Sequence, residues 1–386
     1  MNKEEIIANE EKYELPVYPK RDIAIVKGKG AKVWDSEGSE YIDCTAGVGV
    51  ANVGYCNEQV GSAVKKQMDT LTTCYSMFPN DVRAAYVKKL VNAAPKSLEK
   101  VFMCNSGTET IEAAIKFARA STGKRGIIGL MRGFHGKTLG SLGAMWNKGY
   151  KDPFLLVDPD FHHVPANNIE KLTATIDEST AAVIMELVQG EGGVRPLDEE
   201  FVSDVSSLCT EKGVLLIIDE VQTGFGRTGK LFCCEHYDLQ PDILCCAKGI
   251  ANGIPMGACL VSGKIQVPKK SHTSTFGGNP IACAAGLAVL EYIEQEKLLP
   301  QVTSLGEYAM KELSALESDR IRTVRGRGLM IGIELKEKAG PCLQPLMEKG
   351  ILVLLAGSTV IRLLPPLVIT KEEIDTAVAA IAEVLA

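Results

Sequence analysis

Six short, nearly continuous apolar runs punctuate the middle of the chain: VFMCNS (101–106), GIIGLMR (126–132), AAVIMEL (181–187), VLLIIDE (214–220), DILCCAK (242–248) and GACLVSG (257–263). A strand with one face in water alternates apolar and polar residues. A run without that alternation needs apolar cover on both faces. Between several of the runs lie ETIEAAIKFARA (109–120) and EEFVSDVSSLCTEKG (199–213), whose apolar residues recur at three- and four-residue spacing as on an amphipathic helix. Strands alternating with helices predict an α/β domain around a mainly parallel sheet.

The flanks read differently. DIAIVKGKGAKVWDSEGSEYID (22–43) alternates apolar with polar residues and is broken by glycines, which predicts two or three short antiparallel strands. Beyond about residue 295 come a long helical stretch, then RTVRGRGLMIGIELK and TVIRLLPPLVI, then a last helix from Lys371. This half predicts a smaller α+β lobe that the N-terminal strands join. A chain of 386 residues also exceeds the roughly 250–300 at which a single core stops growing. The expected division is a 1–50 segment packing with the small lobe, a 51–290 large domain and a 291–386 small domain.

A formal net charge of −6 argues against nucleic-acid or anionic-membrane partners. The opening MNKEEIIANEEKYELP has no apolar core of a signal peptide, and no apolar run reaches the roughly 18 residues of a membrane span. A cytoplasmic location is expected. The twelve cysteines fit it if they are reduced, and several sit inside apolar runs, where Cys acts as a small hydrophobe. No C-x-x-C is present, and the histidines show no metal spacing. His162 and His163 read as solvent-facing loop residues, and no metal is expected.

Three places carry chemistry. N-S-G-T (105–108) follows a strand and opens a helix, where Gly107 admits backbone N–H groups to an anion and the helix dipole favours it. Alone it reads better as an ordinary helix cap. Asp219 ends a fully apolar strand, where a carboxylate is costly unless paired; strand carboxyl ends are also where ligands bind in α/β sheets. Lys248 ends another buried run, 29 residues later, and a lysine emerging into a pocket suits Schiff-base chemistry. Together they specify a ligand with an aldehyde, a protonatable ring nitrogen and a phosphate: pyridoxal 5'-phosphate. GFGRTGK (224–230) imitates a P-loop, but Leu231 stands where Ser or Thr must hold magnesium, and no amphipathic helix follows.

The chain resembles the class III aminotransferases of pyridoxal-phosphate fold type I. The resemblance lies in NSGTETIEAAIKFAR (105–119), RGFHGKT (132–138), MELVQGEGGVRP (185–196), IIDEVQTGFGRTGK (217–230), PDILCCAKGI (241–250), TSTFGGNP (273–280) and RGRGLMIGIEL (325–335). It implies that Lys248 carries the cofactor as a Schiff base, Asp219 holds the pyridinium nitrogen, and Gly107 and Thr108 hold the phosphate. Phe134 and Val221 would cover the two ring faces, and Gln222 would reach the ring hydroxyl. Thr275 would complete the phosphate site of a neighbouring subunit, so a homodimer is implied. Arg362 resembles the arginine that grips an α-carboxylate, with 2-oxoglutarate the expected acceptor. Glu191 resembles the gate that pairs with it, and Ser274 joins the implied substrate-binding set.

Within that class, GVGVANVGY (47–55) and AGSTVIRLLPPLVI (356–369) are most similar to the acetylornithine branch. They look most like its members acting in lysine and arginine biosynthesis on the small carrier protein LysW, where the α-amine is blocked as an amide. Val48 stands where ornithine aminotransferases have a tyrosine contacting a free α-amine. Lys137 replaces the usual arginine for the distal carboxylate, keeping the charge but losing the bidentate fork. Leu187 and Tyr55 replace the usual Pro and His. Putrescine and 4-aminobutyrate aminotransferases share almost every motif. An aminomutase or a non-catalytic carrier-binding subunit fits less well with Arg362, Glu191, Lys248 and Asp219 all present.

Overall fold

The computed structural model describes residues 1–156 and 158–386. All six apolar runs become strands of one seven-stranded sheet. Its order is Leu98–Cys104, Gly257–Ser262, Ile243–Cys246, Leu215–Asp219, Thr180–Met185, Gly126–Leu130 and Phe161–Val164. From Ile243–Cys246 onward every neighbouring pair is parallel, and Gly257–Ser262 runs antiparallel to both strands beside it. Successive side chains of a strand point to opposite faces. Ile128, Val183, Leu216 and Leu244 accordingly enter one core, and Ile127, Ile184, Ile217 and Ile243 the other. Helix Gly107–Thr122 covers the second face with Ile111, Ala114 and Phe117. Helices Glu199–Lys212 and Pro280–Gln295 contribute Phe201, Val205, Ala285 and Val289 to the first. All twelve cysteines are unpaired and ten are buried, so they serve as apolar filler; Cys245 and Cys259 face each other across adjacent strands.

The edge strand Phe161–Val164 corrects one expectation. His162 is exposed, but His163 on the opposite pleat is half-buried, and its Nε2 lies 3.1 Å from the Ala144 carbonyl. Burial pushes the His163 imidazole down to about 4. Four residues with two adjacent histidines are too short and too polar a run to announce a strand by periodicity.

The three N-terminal strands, Ile25–Lys29, Lys32–Asp35 and Glu40–Asp43, form an antiparallel meander. Glu40–Asp43 then pairs in parallel with Ile351–Leu352, sewing the start of the chain to its far end. A second sheet, Ile321–Arg327, Met330–Leu335, Val360–Leu363 and Leu354–Ala356, is wholly antiparallel. Helix Leu298–Ser314 packs on it and against helix Lys371–Leu385.

The P-loop mimic folds as buried turns that fasten these parts together. Arg227 is fully buried, and Nη1 donates to the carbonyls of Leu329 (3.0 Å) and Pro365, while Nη2 donates to Asn52 Oδ1 (2.8 Å). Burial without a carboxylate partner pulls this guanidinium down to about 9. Tyr55, of no evident consequence in the sequence, donates its hydroxyl to Asp43 Oδ2 at 2.6 Å. Leu187 is core.

Candidate active site

With one antiparallel exception, the strands end at the same edge of the sheet, and a cavity of about 300 Å³ opens there. Gly107, Thr108, Phe134, Val221, Gln222 and Lys248 line it, with Asp219, Glu186 and Glu191. Its anion end is the start of helix Gly107–Thr122. The first amides of a helix have no intrahelical partner and point outward. The neighbouring hydroxyls are already engaged. Ser106 Oγ donates to Glu109 Oε2 (3.0 Å), and Thr108 Oγ1 lies 2.8 Å from Thr138 Oγ1 and 2.9 Å from Ser141 Oγ. An anion at this end therefore meets main chain more than side chain. A Cβ at position 107 would lie 2.7 Å from Val221 Cγ1, so glycine keeps the cavity floor clear.

The opposite end is acidic. Asp219, 4 % exposed, lies with Oδ2 2.8 Å from His135 Nδ1 and accepts the Val221 amide on Oδ1 at 3.0 Å. Burial opposes a charge on His135, but the hydrogen bond to Asp219, its charge and that of Glu186 prevail and raise the imidazole above its ordinary value. Glu186 sits behind, accepting the Phe134 amide (2.7 Å) and the Gly190 amide (3.0 Å). Burial pushes its carboxyl up to about 7, against the pull of His135. Lys248 begins a 3₁₀ turn, Lys248–Ala251, two residues past the strand Ile243–Cys246, with φ at +46°. That left-handed backbone turns the side chain off the strand line. Burial pulls its amine below the ordinary lysine value despite Glu191, Asp219 and Glu186.

Arg362, on strand Val360–Leu363, reaches the cavity wall from the second sheet. Its Nη1 pairs with Glu191 Oε1 at 2.6 Å and donates to Gln222 Oε1 at 3.3 Å. Its Nε is buried and has no partner among the described residues, which leaves a donor for an incoming carboxylate. The fit to pyridoxal phosphate is therefore good. There is a helix start for the phosphate, a carboxylate for the ring nitrogen and a desolvated amine for the aldehyde, between Phe134 and Val221.

Four sequence-derived candidates fall outside the cavity lining: Arg362, which touches it only through Glu191 and Gln222, and Lys137, Ser274 and Thr275. Lys137 is exposed, its Nζ 5.2 Å from the Tyr150 ring centroid. Ser274 receives Asn105 Nδ2 (3.3 Å) and the Gly277 amide (3.0 Å) and lines a separate space of about 1360 Å³. Thr275 is exposed beside it. Val48 sits at φ +67°, strained for a β-branched residue and 37 % exposed. His135 and Glu186 are site residues that the sequence reading does not single out. Glu186 follows an apolar strand just as Asp219 closes one, so the same cost of a carboxylate there marks it. Among the described residues no cluster of three or more His, Cys, Asp or Glu could hold a metal, and no helix is long and apolar enough to cross a membrane.

Residues 16–385 match the family model described as aminotransferase class-III. The chain is 46% identical over 384 residues to a [LysW]-aminoadipate semialdehyde transaminase of Deinococcus radiodurans, covering 98% of this chain and 90% of that one. It is 43% identical over 374 residues to an acetylornithine aminotransferase of Methanosarcina acetivorans, covering 97% and 94%. Among solved structures, the ornithine aminotransferase of Toxoplasma gondii superposes with a TM-score of 0.95 at 31% identity, covering 100% of this chain and 95% of that one.

Proposed function

The chain belongs to the class III aminotransferase family, and on that premise we propose that it moves the terminal amino group of an α-N-blocked diamino acid to 2-oxoglutarate, in lysine or arginine biosynthesis. It is a pyridoxal-phosphate enzyme of mixed α/β fold with a mostly parallel sheet. The carrying observation is the 2.6 Å pair between Arg362 and Glu191. An arginine that a carboxylate can cap or release serves two substrates in turn. Capped, it presents no free cation to the carbon chain of the donor. Released, it offers a fork to the α-carboxylate of the keto acid. Support for a blocked donor comes from Val50, an apolar residue of the cavity lining, and from Val48 two residues before it, since a free α-ammonium there would need a partner. The names of the relatives support it too.

When bound, the cofactor supplies an electron sink for the carbanion formed at the amine-bearing carbon. The residues do the rest. Asp219, oriented by His135 and by the Val221 amide, would hold the ring nitrogen in its protonated form. Lys248, its amine lowered by burial, would take the proton from the amine-bearing carbon and return it to the carbon across the nitrogen from it. Phe134, whose amide donates to Glu186, would cover one face of the ring. Gln222 joins the Arg362 network to the cavity.

The reading also includes a homodimer and a cytoplasmic setting. Met77, Phe78 and Phe276 are 74%, 64% and 65% exposed. These apolar groups call for cover, and a second copy seated there would receive Thr275 at its own phosphate end. Twelve unpaired thiols suit a reducing compartment. The test is a single-turnover amine scan: the pyridoxal form is mixed with N-acetylornithine, ornithine, putrescine, 4-aminobutyrate and carrier-linked lysine while the cofactor's visible band is followed. Fast conversion by the blocked amino acids, carrier-linked best, is the expected result. Conversion by putrescine or 4-aminobutyrate alone overturns the donor assignment.

A further inference from the structure

Two irregular stretches of chain meet at the wall of the Lys248 cavity. Residues 131–134 bring Phe134 to its lining, and residues 186–194 bring Glu186 and Glu191. Both contain left-handed backbone at residues with side chains, Arg132 at φ +71° and Val194 at φ +50°. Such conformations persist only where the surroundings fix them.

The stretches are fastened to each other. A Cβ on Gly192 would lie 2.7 Å from the Arg132 carbonyl oxygen, so the two main chains pass close. Buried Gln189 donates from Nε2 to the Met131 carbonyl at 2.9 Å. Glu186 makes the charged fastening: Oε1 accepts the Phe134 amide at 2.7 Å and Oε2 the Gly190 amide at 3.0 Å. The far side of the Glu191 turn is held separately, by Arg325 Nε donating to the Gly193 and Val194 carbonyls at 3.0 Å each. On the cavity side, a Cβ on Gly190 would fall 2.1 Å from Gln222 Oε1, the same oxygen that receives Arg362 Nη1 at 3.3 Å. Gly190 thus lies against the Arg362 contact, next to Glu191 in the chain, with Glu186 as the acceptor of its amide. Burying a carboxylate is costly, but no neutral side chain offers two acceptor oxygens and no donor at one spot.

We propose that Glu186 is a positioning residue that braces the Phe134 loop and the Glu191 turn as one body, setting both the cover over the cofactor ring and the hold of Glu191 on Arg362. The inference rests on the gate reading above. Glu186 acts through Phe134 and Glu191, not on the reacting atoms. Coupling of this kind is reciprocal in free energy, so a seated ring cover tightens the gate and a closed gate tightens the cover.

The test combines Glu186→Ala and Glu186→Gln with Glu191→Gln in double-mutant cycles. One readout is the dissociation constant of pyridoxal phosphate, from titration of the apoenzyme, which reports the Phe134 cover. The other is the single-turnover rate of the pyridoxal form with L-glutamate relative to N-acetylornithine, which reports the Glu191–Arg362 pair. Both are taken above about pH 7, where the Glu186 carboxyl is ionised. Glu186→Ala removes both acceptors, and the dissociation constant and the glutamate ratio should each rise about tenfold, the loss expected for one hydrogen bond to a charged group. Glu186→Gln has one acceptor for two donors and should move at least one of the two readouts by as much; it decides alone should Glu186→Ala fail to fold. On top of Glu191→Gln, Glu186→Ala should change the ratio by less than about twofold while still weakening cofactor binding. Neither readout moving in Glu186→Gln overturns the brace. A ratio shift that survives in full without the Glu191 carboxylate overturns it too, because Glu186 then acts by another route. An unaltered ratio in Glu191→Gln itself sinks instead the gate reading beneath it, and the cofactor titration then decides the brace.

Discussion

Replacing Glu191 by Gln isolates the proposed gate. The Arg362 side chain is 3% exposed and that of Glu191 29%, with 2.6 Å between their paired atoms. Removing one partner of a fully buried pair costs about 3–5 kcal/mol, and breaking an exposed one costs about 0–1 kcal/mol. A pair with one dry and one partly wet member falls between, at about 2 kcal/mol. Glutamine can still accept from Nη1 but brings no charge. At 1.36 kcal/mol per tenfold, about 2 kcal/mol is about thirtyfold. That free energy opposes an incoming α-carboxylate, which must displace Glu191, and favours a donor whose chain passes a neutralised arginine. In Glu191→Gln the single-turnover rate with L-glutamate, relative to that with N-acetylornithine, should therefore rise about thirtyfold. The assay is rapid mixing of the pyridoxal form with each amine at subsaturating concentration. A ratio within about twofold of wild type, or equal losses in both half-reactions, would refute the gate.

Glu186 bears on pH dependence. Its folded carboxyl, at about 7, lies above its ordinary value of 4.5, so the folded state keeps a proton that the unfolded state gives up. Its contribution to stability therefore falls as pH rises from 4.5 towards about 7. His135, also raised, tilts stability the same way. Glu186→Gln should flatten, though not abolish, the decline of melting temperature over that window; an unaltered slope would mean that Glu186 does not titrate there. Arg227→Ala strands three buried neutral acceptors at Asn52, Leu329 and Pro365, at about 1–3 kcal/mol for each one left unsatisfied, and should give a clear drop in the thermal midpoint of the apoenzyme. A preserved midpoint would show that these acceptors find other partners. Lys137→Ala should leave cofactor affinity intact while raising a substrate KM; with every KM the same, the exposed Lys137 has no part in the pocket.

Much of this is legible because burial on both faces writes itself as uninterrupted apolar sequence. The 214–220 and 242–248 runs tell where strands lie, and the charges closing them tell where chemistry can sit. Strand direction leaves no such trace. GACLVSG looks like its neighbours, yet Gly257–Ser262 runs the other way, because apolar cover is indifferent to polarity. The histidines at 162 and 163 defeat the sequence reading because one residue of alternation decides which of two neighbours faces inward. Lys137 and Arg132 illustrate another gap. Near each other in one loop, they differ in surroundings through contacts with Tyr150 and with Gly192, which local spacing does not encode. The role proposed for Thr275 needs a second copy of the chain, which local sequence does not display.

The buried Arg227 cluster has a kinetic consequence. One guanidinium ties Asn52, the turn after Leu329 and the Pro365 segment to the loop that follows Asp219. A hinge through this region would have to strip a cation of all its acceptors in a dry interior. Large-scale closure of one lobe over the other, a microsecond-to-millisecond motion, is thereby made costly. What can still move, once its pair with Arg362 opens, is the part-exposed Glu191 side chain, on the faster clock of rotamer exchange. With Glu191 as the proposed gate, alternation between two substrates would be a swing of one carboxylate in a stiff frame, and the pace of turnover would be left to chemistry and product release.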